Sequence, residues 1–163
     1  MLGTSKRLGS RFIWAVVASL ALSSGACSDS TTGASDVSFV EWKSSFGFCA
    51  PTAYCTTRLR VTGRQAVLTL ESRESAPVSI EEQLNAREAD SLAEAAARAR
   101  FEGLPPVIGC PDCADGGAET LTVGAEDEQR TLTFEYNARL DELEPLLGQM
   151  RSLMERLRPG EVR

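Results

Sequence analysis

The cysteines are the residues of this sequence whose types and spacing could support chemistry. Four of the five cysteines fall into two close pairs, Cys49 with Cys55 and Cys110 with Cys113. Both pairs lie in segments that contain glycine or proline, which is typical of loops. Cysteines in such pairs form structural disulfides, bind a metal as thiolates or exchange disulfides with other thiols.

Two structural disulfides are the interpretation that the sequence favours, and four cysteines leave three pairings open. Pairing within each loop, Cys49 with Cys55 and Cys110 with Cys113, needs no long-range geometry. Crossed pairing would instead tie the first loop to the second. The local pairing is favoured, and the two crossed pairings stay open.

Three further interpretations of this region are less favoured. A zinc site of four thiolates fits the spacing of Cys110 and Cys113 but not the wider spacing of the first pair. Disulfide exchange at Cys110 and Cys113 is disfavoured because the motif leads into a strand rather than a helix, beside the negative charges of Asp112 and Asp115. Asp112, Asp115 and Glu119 offer oxygen ligands for calcium, without the spacing of an EF-hand.

Three aromatic residues, Phe46, Phe48 and Tyr54, crowd the loop that carries the first cysteine pair. They could cap the core beside a disulfide. They could also form an exposed recognition patch that the Cys49–Cys55 bond holds rigid. The second alternative makes this segment a candidate binding loop.

The composition excludes several classes of function. The chain has no histidine, so it lacks Ser-His and Cys-His nucleophile pairs and histidine metal ligands. It has 23 acidic and 17 basic residues, and an acidic surface repels nucleic-acid phosphates. The sequence therefore predicts a protein that is not an enzyme, holds no cofactor or metal and binds no nucleic acid.

Residues 1–26 have the pattern of a signal peptide. Lys6, Arg7 and Arg11 precede an apolar run, Phe12 to Leu22, and the segment contains no acid. As a helix this run would span roughly 16 Å, about half of a bilayer core. A cleaved leader is therefore expected rather than a permanent membrane span.

The segment Ser23–Cys27, SSGAC, resembles the lipobox of bacterial lipoproteins. The resemblance implies that Cys27 becomes the lipidated first residue, carrying acyl chains such as palmitate. Ser24 stands where the family usually has an aliphatic residue, and an ordinary signal peptidase, which would leave Cys27 a free thiol, is the alternative. Lipidation would remove the odd cysteine from the count. Residues 28–36 contain no large apolar side chain and would form a flexible tether.

The remainder, residues 37–163, is expected to form one disulfide-bonded domain. Alternating apolar residues predict strands at 37–44, 56–62, 65–72, 119–124 and 129–136, with 78–83 as a candidate edge strand. In the second hairpin this alternation places Tyr136 in the core with Phe134. Residues 107–117 are predicted as a loop.

Helical spacing of apolar residues predicts two helices. The first spans 85–101 and opens with the capping-box pair Asn85 and Glu88. The second begins within 141–145 and runs to Arg158. The order β-β-β-α-β-β-α predicts an α+β fold, with a largely antiparallel sheet and both helices packed on one face.

The body of the chain is similar to small exported inhibitor domains of the emfourin type. The similarity lies in the order of elements, the glycine-containing loop after the first strand, the alanine-rich helix ending at Phe101 and the aspartate-containing loop before a hairpin. No motif carries functional residues over, and the four cysteines depart from that pattern. We expect a lipid-anchored protein of the cell envelope, at the outer membrane or cell surface, that binds an unknown partner protein or ligand. Inhibition of an exported protease, and redox or metal chemistry at the second cysteine pair, are the alternatives.

Overall fold

The computed structural model of this chain describes residues 37–125 and 128–160. The predicted signal peptide, Cys27 and the tether lie outside the described residues. Those described form one compact unit with its own hydrophobic core, which is what a domain that folds on its own requires.

The described chain folds into one seven-stranded sheet and two helices. The strands are β1 (Val37–Ser45), β2 (Thr56–Thr62), β3 (Gln65–Glu71), β4 (Val78–Gln83), β5 (Val107–Ile108), β6 (Ala118–Ala125) and β7 (Gln129–Glu135). The helices are α1 (Ala86–Arg98) and α2 (Glu144–Leu157). The strand order in the sheet is β4-β3-β2-β1-β6-β7-β5, and only β5 and β7 pair in parallel. The predicted α+β fold is confirmed, with β4 at one edge and β5 added at the other.

Alternation along the strands places the core on one face of the sheet. In the central strands Trp42 lies opposite Leu59 on one side and Leu121 on the other. The buried residues of both helices belong to the same core cluster. Both helices therefore pack on this face, as expected.

The opposite face of the sheet carries polar side chains. Thr120 and Thr122 contact Thr133 and Thr131 across the β6–β7 pair. On β2, Arg60 bonds to the Glu41 carboxylate and lies over the Phe39 ring. Alternation of apolar and polar residues thus has a direct structural cause: one face meets helices and the other meets solvent.

Helix α1 begins as predicted and ends early. The Asn85 side chain accepts from the Glu88 backbone N–H, and the Glu88 carboxylate accepts from the Asn85 backbone N–H. The helix stops at Arg98 rather than Phe101, because Ala99 has an extended backbone, with a ψ of 120°. The chain then returns to the sheet, where the Pro106 carbonyl accepts a hydrogen bond from the Thr133 N–H.

The segment 107–117 is not a simple loop, so that prediction is wrong in part. Its first two residues form β5, which extends the sheet beside the end of β7. Cys113–Asp115 form a 3₁₀ turn. A two-residue strand has no periodicity of its own and is defined by the neighbour with which it pairs.

Candidate functional site: the disulfide end of the sheet

The two cysteine-bearing loops leave the sheet at neighbouring points. In the register of the central strands, Ser45 at the end of β1 lies opposite Thr56 on one side and Ala118 on the other. The loop 46–55 therefore starts beside the point where the loop 109–117 enters β6. We call these two loops together the disulfide end.

Each loop is closed by its own disulfide. Cys49 pairs with Cys55, with Cα atoms 6.0 Å apart, and Cys110 pairs with Cys113, with Cα atoms 5.4 Å apart. Of the three pairings that the sequence left open, the structure thus has the local one. Contacts between the loops are consequently non-covalent.

Two close approaches join the loops. The Gly47 N–H donates to Asp112 Oδ1 at 3.1 Å, and a side chain at Gly47 would collide with that carboxylate. The Phe46 ring lies against Gly117, where the backbone has a φ of +86° and a Cβ would collide with the ring. Glycine at both positions lets the two loops pack together.

The first loop is also held by hydrogen bonds from its surroundings. Phe46 N–H donates to the Cys55 carbonyl at 3.1 Å, and Arg73 Nη2 donates to the Gly47 carbonyl at 2.8 Å. Both backbone polar groups of Gly47 are therefore occupied. Phe48, the next residue, therefore follows a backbone position that two hydrogen bonds hold in place.

The three aromatic residues of the candidate binding loop have different surroundings. Phe46 is half-buried and packs edge-on against Tyr136, with ring centroids 4.7 Å apart. Tyr54 is half-buried, and its hydroxyl donates to the Ala76 carbonyl at 3.2 Å. Phe48 alone is fully presented to solvent, with 86% of its surface exposed.

Two more exposed apolar side chains lie at the same end of the sheet. Val107 is 53% exposed and Tyr136 is 45% exposed. Val107 pairs with Thr133 near the end of β7, and Tyr136 follows that strand directly. The prediction of a buried Tyr136 is wrong, because β7 ends at Glu135 and the chain turns away at Asn137, whose φ is +62°.

The second loop has an unusual backbone. Asp112, Ala114 and Asp115 all have positive φ angles, of 60°, 51° and 59°, a region that non-glycine residues rarely occupy. Cys113 opens a single 3₁₀ turn, so no α-helix N-terminus faces the cysteine pair. The feature that lowers thiol pKa values in many exchange motifs is therefore missing from this loop.

The metal interpretations find little geometric support among the described residues. All four sulfurs are joined in disulfides, which leaves no thiolate for zinc. Glu119, one of the calcium candidates, is buried in the core while Asp112 and Asp115 are exposed. Across 37–125 and 128–160, no group of three acidic or cysteine side chains is placed to hold an ion.

Glu119 instead forms the centre of a buried polar network beneath the disulfide end. Its carboxylate is 1% exposed and lies 2.8 Å from Arg151 Nη2. It also accepts from Trp42 Nε1 at 2.9 Å and from the Asn137 N–H at 2.9 Å. Arg151 donates in addition to the Ala138 carbonyl at 3.0 Å. The network fixes the segment after β7 to α2 and to the sheet.

The sequence matches no protein-family model, and no curated protein is significantly similar to it. Neither α1 nor α2, the helices of the described part, has the length and apolar character needed to cross a bilayer. The geometry of the disulfide end is therefore the basis on which a function can be inferred.

Proposed function

We propose that this chain is a lipid-anchored, non-catalytic binding protein of the cell envelope that engages a partner protein through the disulfide end. The observation that carries the proposal is the position of the exposed apolar side chains. Phe48, Val107 and Tyr136 are the large hydrophobic residues that stand exposed in the described chain. Phe48 lies in the first loop, Tyr136 packs against Phe46 of that loop, and Val107 lies on the edge strand β5 opposite Thr133, near the same end of the sheet. Apolar surface exposed toward one end of a stable domain is typical of protein interfaces.

Rigidity supports binding by this surface. A side chain that is ordered before binding loses less entropy when the complex forms. Phe48 follows the doubly hydrogen-bonded Gly47 and precedes Cys49, which is closed in a disulfide. An aromatic residue held in this way is suited to be the anchor of an interface.

The position of the tether supports the same surface. Residues 27–36 join the domain at Val37, the start of β1, whereas the disulfide end begins after Ser45. A nine-residue strand separates these points by roughly 26 Å at about 3.3 Å per residue. A lipid at Cys27 would therefore leave the disulfide end on the side of the domain away from its point of attachment.

The proposed cellular location depends on the leader segment and on residue 27. The lipobox resemblance of Ser23–Cys27 supports anchoring by acyl chains. Lipoproteins retained at the inner membrane often have an aspartate directly after the lipidated cysteine. Ser28 in that place favours sorting to the outer membrane or cell surface, whereas Asp29, one place later, counts against it. A lipid of two or three chains would give stable anchoring, since one chain binds only marginally.

Mass spectrometry of the protein extracted from native membranes tests the lipid anchor and the disulfides together. We expect a chain that begins at an acylated Cys27 and that takes up no alkylating reagent until it is reduced. A Cys27→Ala variant should lack acyl chains. An unprocessed chain with reduced cysteines would contradict the proposal.

Binding is tested by capture of envelope proteins with the purified domain. The wild-type domain and a Phe48→Ala domain, each with both disulfides intact, are compared side by side, with Thr62→Ala as a control at the opposite end of β2. We expect Phe48→Ala to lose a partner that the other two retain. Capture of the same proteins by all three domains would contradict a role for the disulfide end.

Inhibition of an exported protease is the second candidate function. The exposed Phe48 beside a disulfide favours it, because an inhibitor must present a side chain on a backbone that resists movement. The domain should then inhibit a secreted protease with an apolar specificity pocket, and Phe48→Ala should weaken inhibition at least about tenfold. Equal inhibition by both forms would exclude Phe48 as the inserted residue.

A further inference from the structure

The two disulfides differ in their access to solvent. Cys110 and Cys113 are both exposed, whereas Cys49 and Cys55 are half-buried. Disulfides are opened by attack of a thiolate on one of their sulfurs, and access to the bond is one condition of that attack. A thiol in the surroundings therefore reaches the second pair more readily than the first.

The exposed disulfide lies in a segment of strained backbone. Asp112, between its two cysteines, has a φ of 60° and a ψ of 12°. Ala114 and Asp115 follow with φ angles of 51° and 59°. Non-glycine residues adopt this left-handed region at a cost in free energy, and they stay there only where the surrounding structure holds them.

The turn from Cys110 to Cys113 explains why Asp112 is strained. The Cys113 N–H donates to the Cys110 carbonyl at 3.0 Å, which closes a turn with Pro111 second and a left-handed residue third. This is the pattern of a type II turn, whose third position prefers glycine or asparagine. The disulfide joins the two ends of the same turn and so opposes the relaxation of Asp112.

The strained aspartate forms the contact between the two loops. Its Oδ1 accepts from the Gly47 N–H at 3.1 Å, and the carboxylate fills the space that a side chain at Gly47 would need. Glycine at position 112 would suit the turn but would lack this carboxylate. If the disulfide opened, Asp112 could relax and withdraw from the residue that precedes Phe48.

We propose that the Cys110–Cys113 disulfide is a site of reversible reduction by a protein dithiol, and that its redox state controls the loop that presents Phe48. A thiolate of the reductant attacks one sulfur and breaks the S–S bond, and the other sulfur leaves as a thiolate that takes up a proton. The second thiol of the reductant then attacks the mixed disulfide. The pair gains two electrons and two protons in all, and the reductant becomes a disulfide.

The chain is the substrate of this exchange and not its catalyst, so it needs none of the features of a catalytic thiol. The charged residues of the loop, Asp112 and Asp115, are acidic. So is Glu135, whose carboxylate accepts from the Cys110 N–H at 2.9 Å. Negative charge repels a small anionic thiol such as glutathione, which favours a dithiol carried on a protein of complementary charge.

Redox titration compares the two pairs on the exported mature chain with Cys27→Ala, whose remaining cysteines are these two pairs. The chain is equilibrated in mixtures of reduced and oxidised dithiothreitol, and free thiols are trapped with a maleimide and located by peptide mass spectrometry. We expect the second pair to be half reduced at a ratio of reduced to oxidised reagent at least about tenfold lower than the first. The same ratio for both pairs, or the reverse order, would overturn the proposal.

Two glycine variants test whether the strained turn is the cause. Asp112→Gly suits the left-handed position, so reduction of the second pair should need about tenfold more reductant than in the wild type. Ala50→Gly is the matched control between the cysteines of the first pair, at a position without a positive φ, and should not make that pair harder to reduce. Unchanged or easier reduction of the Asp112→Gly chain would overturn the proposal.

Hydrogen exchange of the Gly47 amide, followed by NMR, measures the effect on the first loop. The opened state is the wild type held where only the second pair is reduced, and a Cys110→Ser, Cys113→Ser chain checked for its fold by thermal unfolding provides the same state without a reductant. We expect Gly47 N–H to exchange at least about tenfold faster in this state. The Cys55 N–H, which donates to the Glu71 carbonyl, should exchange as before. Unchanged exchange at Gly47 would overturn the proposed control of the loop.

The consequence for binding rests on the function proposed for the disulfide end, whereas neither measurement involves a partner. A chain that shows both effects yet captures no envelope protein would contradict only that function. A chain that captures a partner through Phe48 but whose two pairs are reduced alike would contradict only the redox inference.

Discussion

The helix-covered face of the sheet and the disulfide end are stabilised in different ways. On the covered face, Leu59, Leu68 and Leu121 are all 0% exposed, and two helices exclude water from them. At the disulfide end, Phe48 is 86% exposed, and the loops are held by covalent bonds and hydrogen bonds instead. Burial stabilises the first region, whereas disulfides and hydrogen bonds hold the second in shape while Phe48 faces solvent.

This difference explains why the disulfides lie where they do. A loop that presents its aromatic residue to solvent gains little stability from burial, and disulfides are a common substitute in exported domains. Substitutions in the core should therefore lower stability. Substitutions on the exposed side of the disulfide end should change binding.

The largest loss of stability is expected on the core side, at Arg151. Arg151→Met would leave the Glu119 carboxylate, which is 1% exposed, without its cation. Removing one partner of a buried pair costs about 3–5 kcal/mol. We expect about 3 kcal/mol, the low end, because the Arg151 side chain is itself 17% exposed.

Urea denaturation measures this loss, with Arg139→Met as an exposed control that should change stability by no more than about 0.5 kcal/mol. The double variant Glu119→Gln, Arg151→Met should recover part of the loss, because it no longer buries an unpaired charge. Equal stability of Arg151→Met and Arg139→Met would show that the network does not hold this region.

The next effect is expected at the disulfide end. Replacing Cys49 and Cys55 together by serine should lower the free energy of unfolding by about 2 kcal/mol, since the closed loop is short. The same variant should lose partner binding, because Phe48 would project from a flexible loop. Denaturation and binding are measured on the same sample. If the variant binds the partner like the wild type, partner binding does not require the rigidity that this disulfide gives the loop.

A smaller effect is expected at the start of α1. Asn85→Ala removes the side-chain oxygen that accepts from Glu88 N–H at 3.0 Å. Loss of an N-cap typically costs about 1 kcal/mol. The exposed neighbour Gln83 provides a matched control, because Gln83→Ala leaves the cap intact. If both variants unfold at the same urea concentration, the capping box contributes nothing in solution.

The smallest effect concerns pH. The hydrogen bond from Arg156, together with that from the Asn85 N–H, holds the pKa of Glu88 below its usual value of 4.5. A carboxylate with a lowered pKa in the folded state contributes stability above the usual pKa, and this contribution is lost as pH falls through the folded value. Stability should therefore decline in acid below about pH 4.5.

Glu88→Gln should remove part of that decline, measured as the melting temperature between about pH 6 and about pH 3. Glu155→Gln, an exposed control on α2, should retain the full slope. Identical slopes for Glu88→Gln and the wild type would show that the pairing of Glu88 with Arg156 does not persist in solution.

Local patterns made most of the fold predictable. Alternation fixes the strands around Leu59 and Leu68, because a one-residue shift would expose their apolar side chains. The capping box at Asn85 and Glu88 marks the start of α1. These features depend on neighbours within a few residues, which is the range over which a sequence can be interpreted directly.

Features that depend on distant partners could not be predicted. The Glu119–Arg151 pair joins residues that are 32 positions apart, and no local spacing indicates it. The two-residue strand β5 forms because it pairs with the edge strand β7. The exposure of Tyr136 follows from where the chain leaves the sheet, which its apolar alternation does not reveal.

The crowding of Phe46, Phe48 and Tyr54 marks the candidate binding loop without distinguishing its members. Phe46 contacts Tyr136 and Tyr54 bonds to Ala76, both through partners outside the loop. Only after these partners are known does Phe48 stand out as the exposed residue. Composition thus located the candidate surface, and long-range contacts selected the residue.

Site-specific crosslinking in intact cells tests the central claim most directly. A photoreactive phenylalanine analogue is placed at position 48 and, as a control, at the exposed position 62 at the opposite end of the sheet. We predict a discrete adduct from position 48 that excess wild-type domain competes away and the Phe48→Ala domain does not. The absence of an adduct at position 48, or the same adduct from both positions, would contradict binding through the disulfide end.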